Sequence, residues 1–161
     1  MKTKKLTFLL ALTFLFLFSG SSVVFGDDLQ DGLDAYKRVD FKTAYKLFLP
    51  LAEQGNAIAQ FNLGLMYFHG QGVPIDYKEA VKWYRLSAEQ GIASAQFNLG
   101  LMYFKGQGVP QDYVLAHLWF NLSSSQGITK AIKGRNFLEK KMTPSQIEKA
   151  QRMARNRKAK K

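Results

Sequence analysis

The chain contains no cysteine. That absence excludes disulfides, cysteine-ligated zinc and thiol catalysis. Histidine is nearly as scarce: His69 and His117 are the whole complement, too few for a histidine-rich metal site. No P-loop, dinucleotide-binding glycine fingerprint, catalytic carboxylate pair or nucleophile motif occurs. Gly70-Gln71-Gly72 has no Lys-Ser or Lys-Thr after it, so it reads as a turn and not as a phosphate cradle. Nothing calls for a cofactor. Hydrophobic residues at 47% of 161 positions are enough for one domain with a core.

Acidic residues are missing from both ends. Residues 1–26 carry Lys2, Lys4 and Lys5 and no acid, while residues 130–161 carry 12 basic side chains against 2 acidic ones. The stretch between, 27–129, has 8 basic and 10 acidic residues. The net charge of +11 therefore belongs to the C-terminal region and not to the body of the chain.

Long apolar runs are also absent, with one exception. Leu6 to Phe18 is 13 residues, apolar but for two threonines. It is shorter than the roughly 20 residues that a membrane span needs. Behind three lysines it suits the hydrophobic region of a secretory signal peptide over residues 1–26, with Val24 and Gly26 as the small residues before a cleavage site at Asp27. The expectation is an exported chain, periplasmic or secreted, the alternative being an uncleaved N-terminal anchor.

What the chain has in abundance is itself. QFNLGLMYFHGQGVPIDY at 60–77 returns as QFNLGLMYFKGQGVPQDY at 96–113, with 16 of 18 positions identical at an offset of 36 residues. The offset also aligns Ala44 with Ala80 and Ala116, and Gly55 with Gly91 and Gly127. Self-similarity at such a period marks a solenoid, with atypical units at both ends. The spacing predicts a short first helix at 29–38 and a second at 40–54, interrupted or kinked at Pro50. Two full units then each divide into a first helix (57–68, 93–104), a Gly-Pro loop and a second helix (76–90, 112–126). Asp76 with Glu79 forms a capping pair. Beyond Gly127 a degenerate helix spans 129–142, and Thr143-Pro144-Ser145-Gln146 is a capping box that opens a last helix to about Arg155. Asn156–Lys161 reads as frayed. The divisions are thus a leader at 1–26, a repeat body at 27–142 with full units at 57–92 and 93–128, and a capping helix with basic tail at 143–161.

Ala59, Leu63, Gly64, Tyr67, Gly70, Gly72, Val73, Asp76, Ala80, Trp83, Tyr84, Ala88 and Gly91 follow one spaced pattern, and the next unit repeats it from Ala95 to Gly127. Phe120 replaces the usual tyrosine there. The pattern resembles the Sel-1-like repeat, a branch of the tetratricopeptide superfamily. The resemblance implies an all-α, right-handed solenoid of stacked helix-turn-helix units with a concave groove lined by first helices. It also implies an adaptor that binds a protein or peptide partner. Some cysteine-rich relatives are credited with β-lactamase activity, but the cysteines and a Ser-x-x-Lys run are absent here, so a hydrolase is the weakest alternative.

On that geometry the groove candidates are Phe61, Asn62, Leu65, Phe68 and His69 in one unit, with Phe97, Asn98, Leu101, Phe104 and Lys105 in the next. A repeated asparagine can both donate to and accept from a peptide backbone. Its competing role is to satisfy groups between helices, and Phe61, Phe97, Trp83 and Trp119 are more often core than binding anchors. His69 and Lys105 share one repeat position, which speaks against catalysis by His69. In the tail, Lys149, Arg152, Arg155, Arg157 and Lys158 are candidates for contact with an anionic envelope surface. An exported chain has no access to nucleic acid.

Overall fold

The computed structural model describes residues 21–158. Among them are eight helices and no strand: α1 (Ser21–Lys37), α2 (Phe41–Glu53), α3 (Ala57–His69), α4 (Tyr77–Glu89), α5 (Ala93–Lys105), α6 (Tyr113–Ser124), α7 (Thr129–Glu139) and α8 (Pro144–Lys158). Most of the expected leader lies outside the described residues, and 21–26 open α1. Helices pack in antiparallel pairs, α1 on α2, α3 on α4 and α5 on α6, and each pair stacks on the next. The result is an α-solenoid.

Sequence chemistry sets the helix boundaries. Asp76 caps α4 by accepting from the backbone N–H groups of Lys78 and Glu79 at 2.9 and 3.1 Å. The expected pairing is one-sided: the Asp76 N–H donates to the Tyr67 carbonyl, and Glu79 pairs instead with Lys82 at 3.1 Å. Gly70 and Gly106 end α3 and α5 in the left-handed conformation, at φ 70° and 68°. Pro50 does not end α2, which runs on to Glu53; it sits in the last turns with its ring exposed. At the other end Thr143 and Gln146 form both halves of the capping box, at 2.9 and 3.3 Å. The last helix then continues past Arg155 to Lys158, so Asn156 and Arg157 are helical where fraying was expected.

Small residues let the helices meet closely. A Cβ placed on Gly64 would lie 2.5 Å from the Tyr84 ring, and one on Gly100 would lie 2.7 Å from the Phe120 ring. Leu63, Leu99, Met66, Met102, Trp83 and Trp119 fill the layers between, all nearly fully buried. Each such side chain contributes about 1.5–3 kcal/mol.

A polar network repeats with the same period. The side chain of Gln60, 4% exposed, donates to the Ala52 carbonyl at 3.0 Å and accepts from Gln90 at 2.8 Å. Gln96 does the same with Ala88 at 3.1 Å and Gln126 at 2.8 Å. Ser87 and Ser123 donate to the carbonyls of Ala57 and Ala93, both at 2.8 Å. Every link either joins neighbouring units or ties the two helices of one unit, and the buried amides are left satisfied.

One contact position changes chemistry along the stack. Tyr45 meets Tyr67 through their hydroxyls at 2.9 Å. One unit on, the equivalent pair is the apolar Val81 with Tyr103, and two units on it is His117 with Glu139, at 2.9 Å. His117 is fully buried, its Nδ1 has no partner, and Arg135 approaches Glu139 at 3.6 Å. Glu139→Ala should therefore strand a buried imidazole with neither nitrogen bonded and cost about 1–3 kcal/mol in urea unfolding. Glu139→Gln, which keeps an acceptor, should recover most of the loss. An equal loss in both variants would mean that the hydrogen bond contributes nothing.

Candidate functional site

Side chains of α3 and α5 come together over α4. Leu65, Phe68 and His69 from α3 face Asn98, Leu101, Met102 and Lys105 from α5 across a cleft of ≈ 110 Å³. Tyr84 of α4 and Gln107 of the following loop complete the lining. The floor is apolar, and polar groups sit at its margin. Burial holds the Tyr84 hydroxyl above the usual phenol range, while the nearby Asn98 side chain works in the opposite direction.

The candidates read from the sequence divide over this site. Phe68, His69, Asn98 and Lys105 line the cleft. Asn62 does not: it is 6% exposed, and its amide donates back to the Ile58 carbonyl of its own helix at 2.8 Å. Phe61 and Phe97 are half-buried against Tyr84 and Phe120, with ring centroids 6.1 and 5.7 Å apart. Phe104 stacks on Tyr113 at 5.8 Å beyond the cleft and touches Phe137 edge-on at 5.9 Å. Phe68 makes the matching contact with Tyr77 at 5.4 Å.

The basic tail is less free than its sequence suggests. The Arg157 guanidinium lies 4.6 Å above the Trp119 ring and 3.6 Å from Glu89. Arg152 reaches Glu148 on its own helix at 3.5 Å. Lys149 and Arg155 are exposed, and of the Lys158 side chain nothing is described. The glycosylation-type triplet Asn121-Leu122-Ser123 is unusable as it stands, because Ser123 is fully buried. Among the described residues no group of three potential metal ligands occurs, and no helix is long and apolar enough to cross a membrane.

Sequence reasoning overlooked Gln60, Gln96, Gln90, Gln126 and Lys141. The signal for the glutamines was present, since Gln60 and Gln96 open the repeated block and Gln90 and Gln126 close second helices at the same offset. Lys141 falls one period after Lys105 but lies in the degenerate unit, where the flanking motif has decayed.

A family model for the Sel1 repeat matches residues 29–56, 57–92 and 93–128. Among solved structures, a protective antigen of uropathogenic Escherichia coli with an SLR fold is similar at 34% identity and a TM-score of 0.77, over 83% of this chain and 29% of that one. A Sel1 repeat protein from Oxalobacter formigenes is similar at 30% identity and a TM-score of 0.67, over 80% of this chain and 55% of that one. The chain thus spans well under two thirds of the length of either. No curated protein sequence matches it significantly.

Proposed function

The chain belongs to the Sel1 repeat family, whose members generally serve as protein-interaction modules, and on that premise we propose that it takes a peptide or protein segment at the cleft between α3 and α5. The cleft's size carries this reading. Sites for small organic ligands enclose about 300–1,000 Å³. A space of ≈ 110 Å³ holds one side chain, which makes it an anchor point within a longer contact along the first-helix face. Its apolar floor and polar margin, with an amide from Asn98, suit an apolar anchor flanked by peptide backbone.

We test this by placing a photo-crosslinking phenylalanine analogue at Leu101 inside the cleft and, separately, at Lys46 on exposed α2. A partner captured from Leu101 and not from Lys46, and lost on Leu65→Glu with helicity unchanged, is the expected result. Equal capture from both positions would move the contact off this face.

Export completes the proposal. Lys2, Lys4 and Lys5 before the apolar run 6–18 support a secretory leader cleaved before Asp27. Amino-terminal sequencing of the protein recovered from an exporting bacterial host should begin at Asp27; an intact Met1 would favour the uncleaved anchor. The alternative of envelope retention through the tail rests on Lys149 and Arg155, because Arg152 and Arg157 are engaged within the fold.

A further inference from the structure

We infer that the segment docked on the first-helix face is acidic and extended, its carboxylates held by a ladder of two lysines and a histidine at one repeat position and its apolar side chains by a row beside that ladder. The inference rests on the docking face proposed above and adds the chemistry of the partner.

His69, Lys105 and Lys141 stand 36 residues apart, one per unit, and all three are exposed. His69 and Lys105 line the same cleft. Lys141, just past the end of α7, holds its ammonium 5.1 Å from the Phe137 ring. Leu65, Leu101 and Phe137 form a second row at the same offset. Two of them line the cleft, and Phe137, 49% exposed, touches Phe104 of the neighbouring first helix. Cleft and aromatic patch are therefore one strip, with cations along its edge.

Among the described residues no carboxylate pairs with Lys105 or Lys141. Helices α3 and α5 contain no acidic residue, and the one acid of α7, Glu139, is turned inward to His117 and Arg135. The remaining acids between 57 and 139 belong to the second helices. Asp76 and Asp112 are spent on caps, Glu79 faces Lys82, and Glu89 faces Arg157. The strip is left with unmatched positive charge beside apolar surface.

That combination selects a protein segment. A phosphate polymer would satisfy the cations but leave Leu65, Leu101 and Phe137 in water. Packed helices lie about 8–10 Å apart, and a chain in the extended polyproline II conformation returns to the same side-chain direction every three residues, about 9 Å on. A carboxylate at every third residue would thus meet successive rungs, with apolar side chains falling on the row between.

The test uses the purified chain and three fluorescent peptides, each of repeated Leu-Gly-X triplets with X as Glu, Gln or Lys. By anisotropy the Glu peptide should bind about tenfold more tightly than the Gln peptide, since each exposed pair adds only a few-fold, and the preference should shrink with added salt. Lys105→Glu with Lys141→Glu should transfer the preference to the Lys peptide, while Lys133→Glu on the same helix as Phe137 should leave it intact. Equal binding of Glu and Gln peptides would overturn the ladder. Displacement by polyphosphate more effectively than by the Glu peptide would overturn a protein segment as the occupant. If no peptide binds, the acidic-segment inference falls, and the crosslinking from Leu101 still decides whether the face docks protein at all.

Discussion

Gly108→Ala is expected to cost about 2–5 kcal/mol of unfolding free energy, the sum of left-handed strain near 1–2 kcal/mol and overpacking near 1–3. Gly108 has φ 71°, and a Cβ there would run into the carbonyl carbon and oxygen of Tyr77, with the Lys78 nitrogen at 2.9 Å. These are backbone atoms at the start of α4, held by the Asp76 cap, so they cannot step aside as a side chain would. The loop of one unit therefore sits directly on the second helix of the unit before it. Gly72 repeats the arrangement, 2.8 Å from the Phe41 carbonyl oxygen. Gly127 supplies the control, because it has φ 89° and nothing within 4 Å. Its replacement by alanine should cost only the left-handed strain, about 1–2 kcal/mol. Urea denaturation of both variants separates the two causes, and equal losses would show that the close approach is not what demands glycine at position 108.

Ala150→Glu should have an effect of similar size, about 3 kcal/mol or more, by putting a charge where no partner exists. Ala150 and Ala154 are 0% and 2% exposed where α8 lies back on α6. A carboxylate at that seam cannot be accommodated, and the expected response is release of α8. Trp119 reports it directly, since it lies under Arg157 and is 3% exposed. With Trp83→Phe as background, Trp119 is the sole indole, and its emission should shift to the red in the Glu variant. Arg157→Ala, which removes only the ring contact and a surface ion pair, should cost no more than about 1 kcal/mol. An unshifted emission with stability held would mean that α8 does not seal this end.

The repeat architecture was legible because its punctuation is strong. Asp76, Gly70 and Gly106 stop or start helices by local chemistry alone, so the boundaries of α3 to α6 fall within a residue or two of the expected ones. Thr143-Pro144-Ser145-Gln146 is legible for the same reason. Periodicity also identifies an inward face, but it does not say which neighbour an inward polar group meets. Asn62 and Asn98 occupy one repeat position, yet Asn62 bonds its own helix while Asn98 lines the cleft. The glutamine links that span 30 residues tie the two helices of one unit and become visible only when that helix pair is folded. The tail shows the same limit. Arg157 reads as part of a solvated cationic run until α8 folds back and sets it against Glu89 and Trp119 from two earlier helices.

The glutamine and serine links have a consequence for heredity. Those from Gln60 to Ala52 and from Gln96 to Ala88 join a unit to the one before it in the same way each time, so a unit meets its neighbour through features that every full unit carries. Where the DNA encoding 60–77 and 96–113 is alike, a crossover there would add or delete one whole unit. The product would meet its neighbours through contacts already present, with the ends unchanged. Length, in a molecule built this way, is a trait that can be inherited in whole steps.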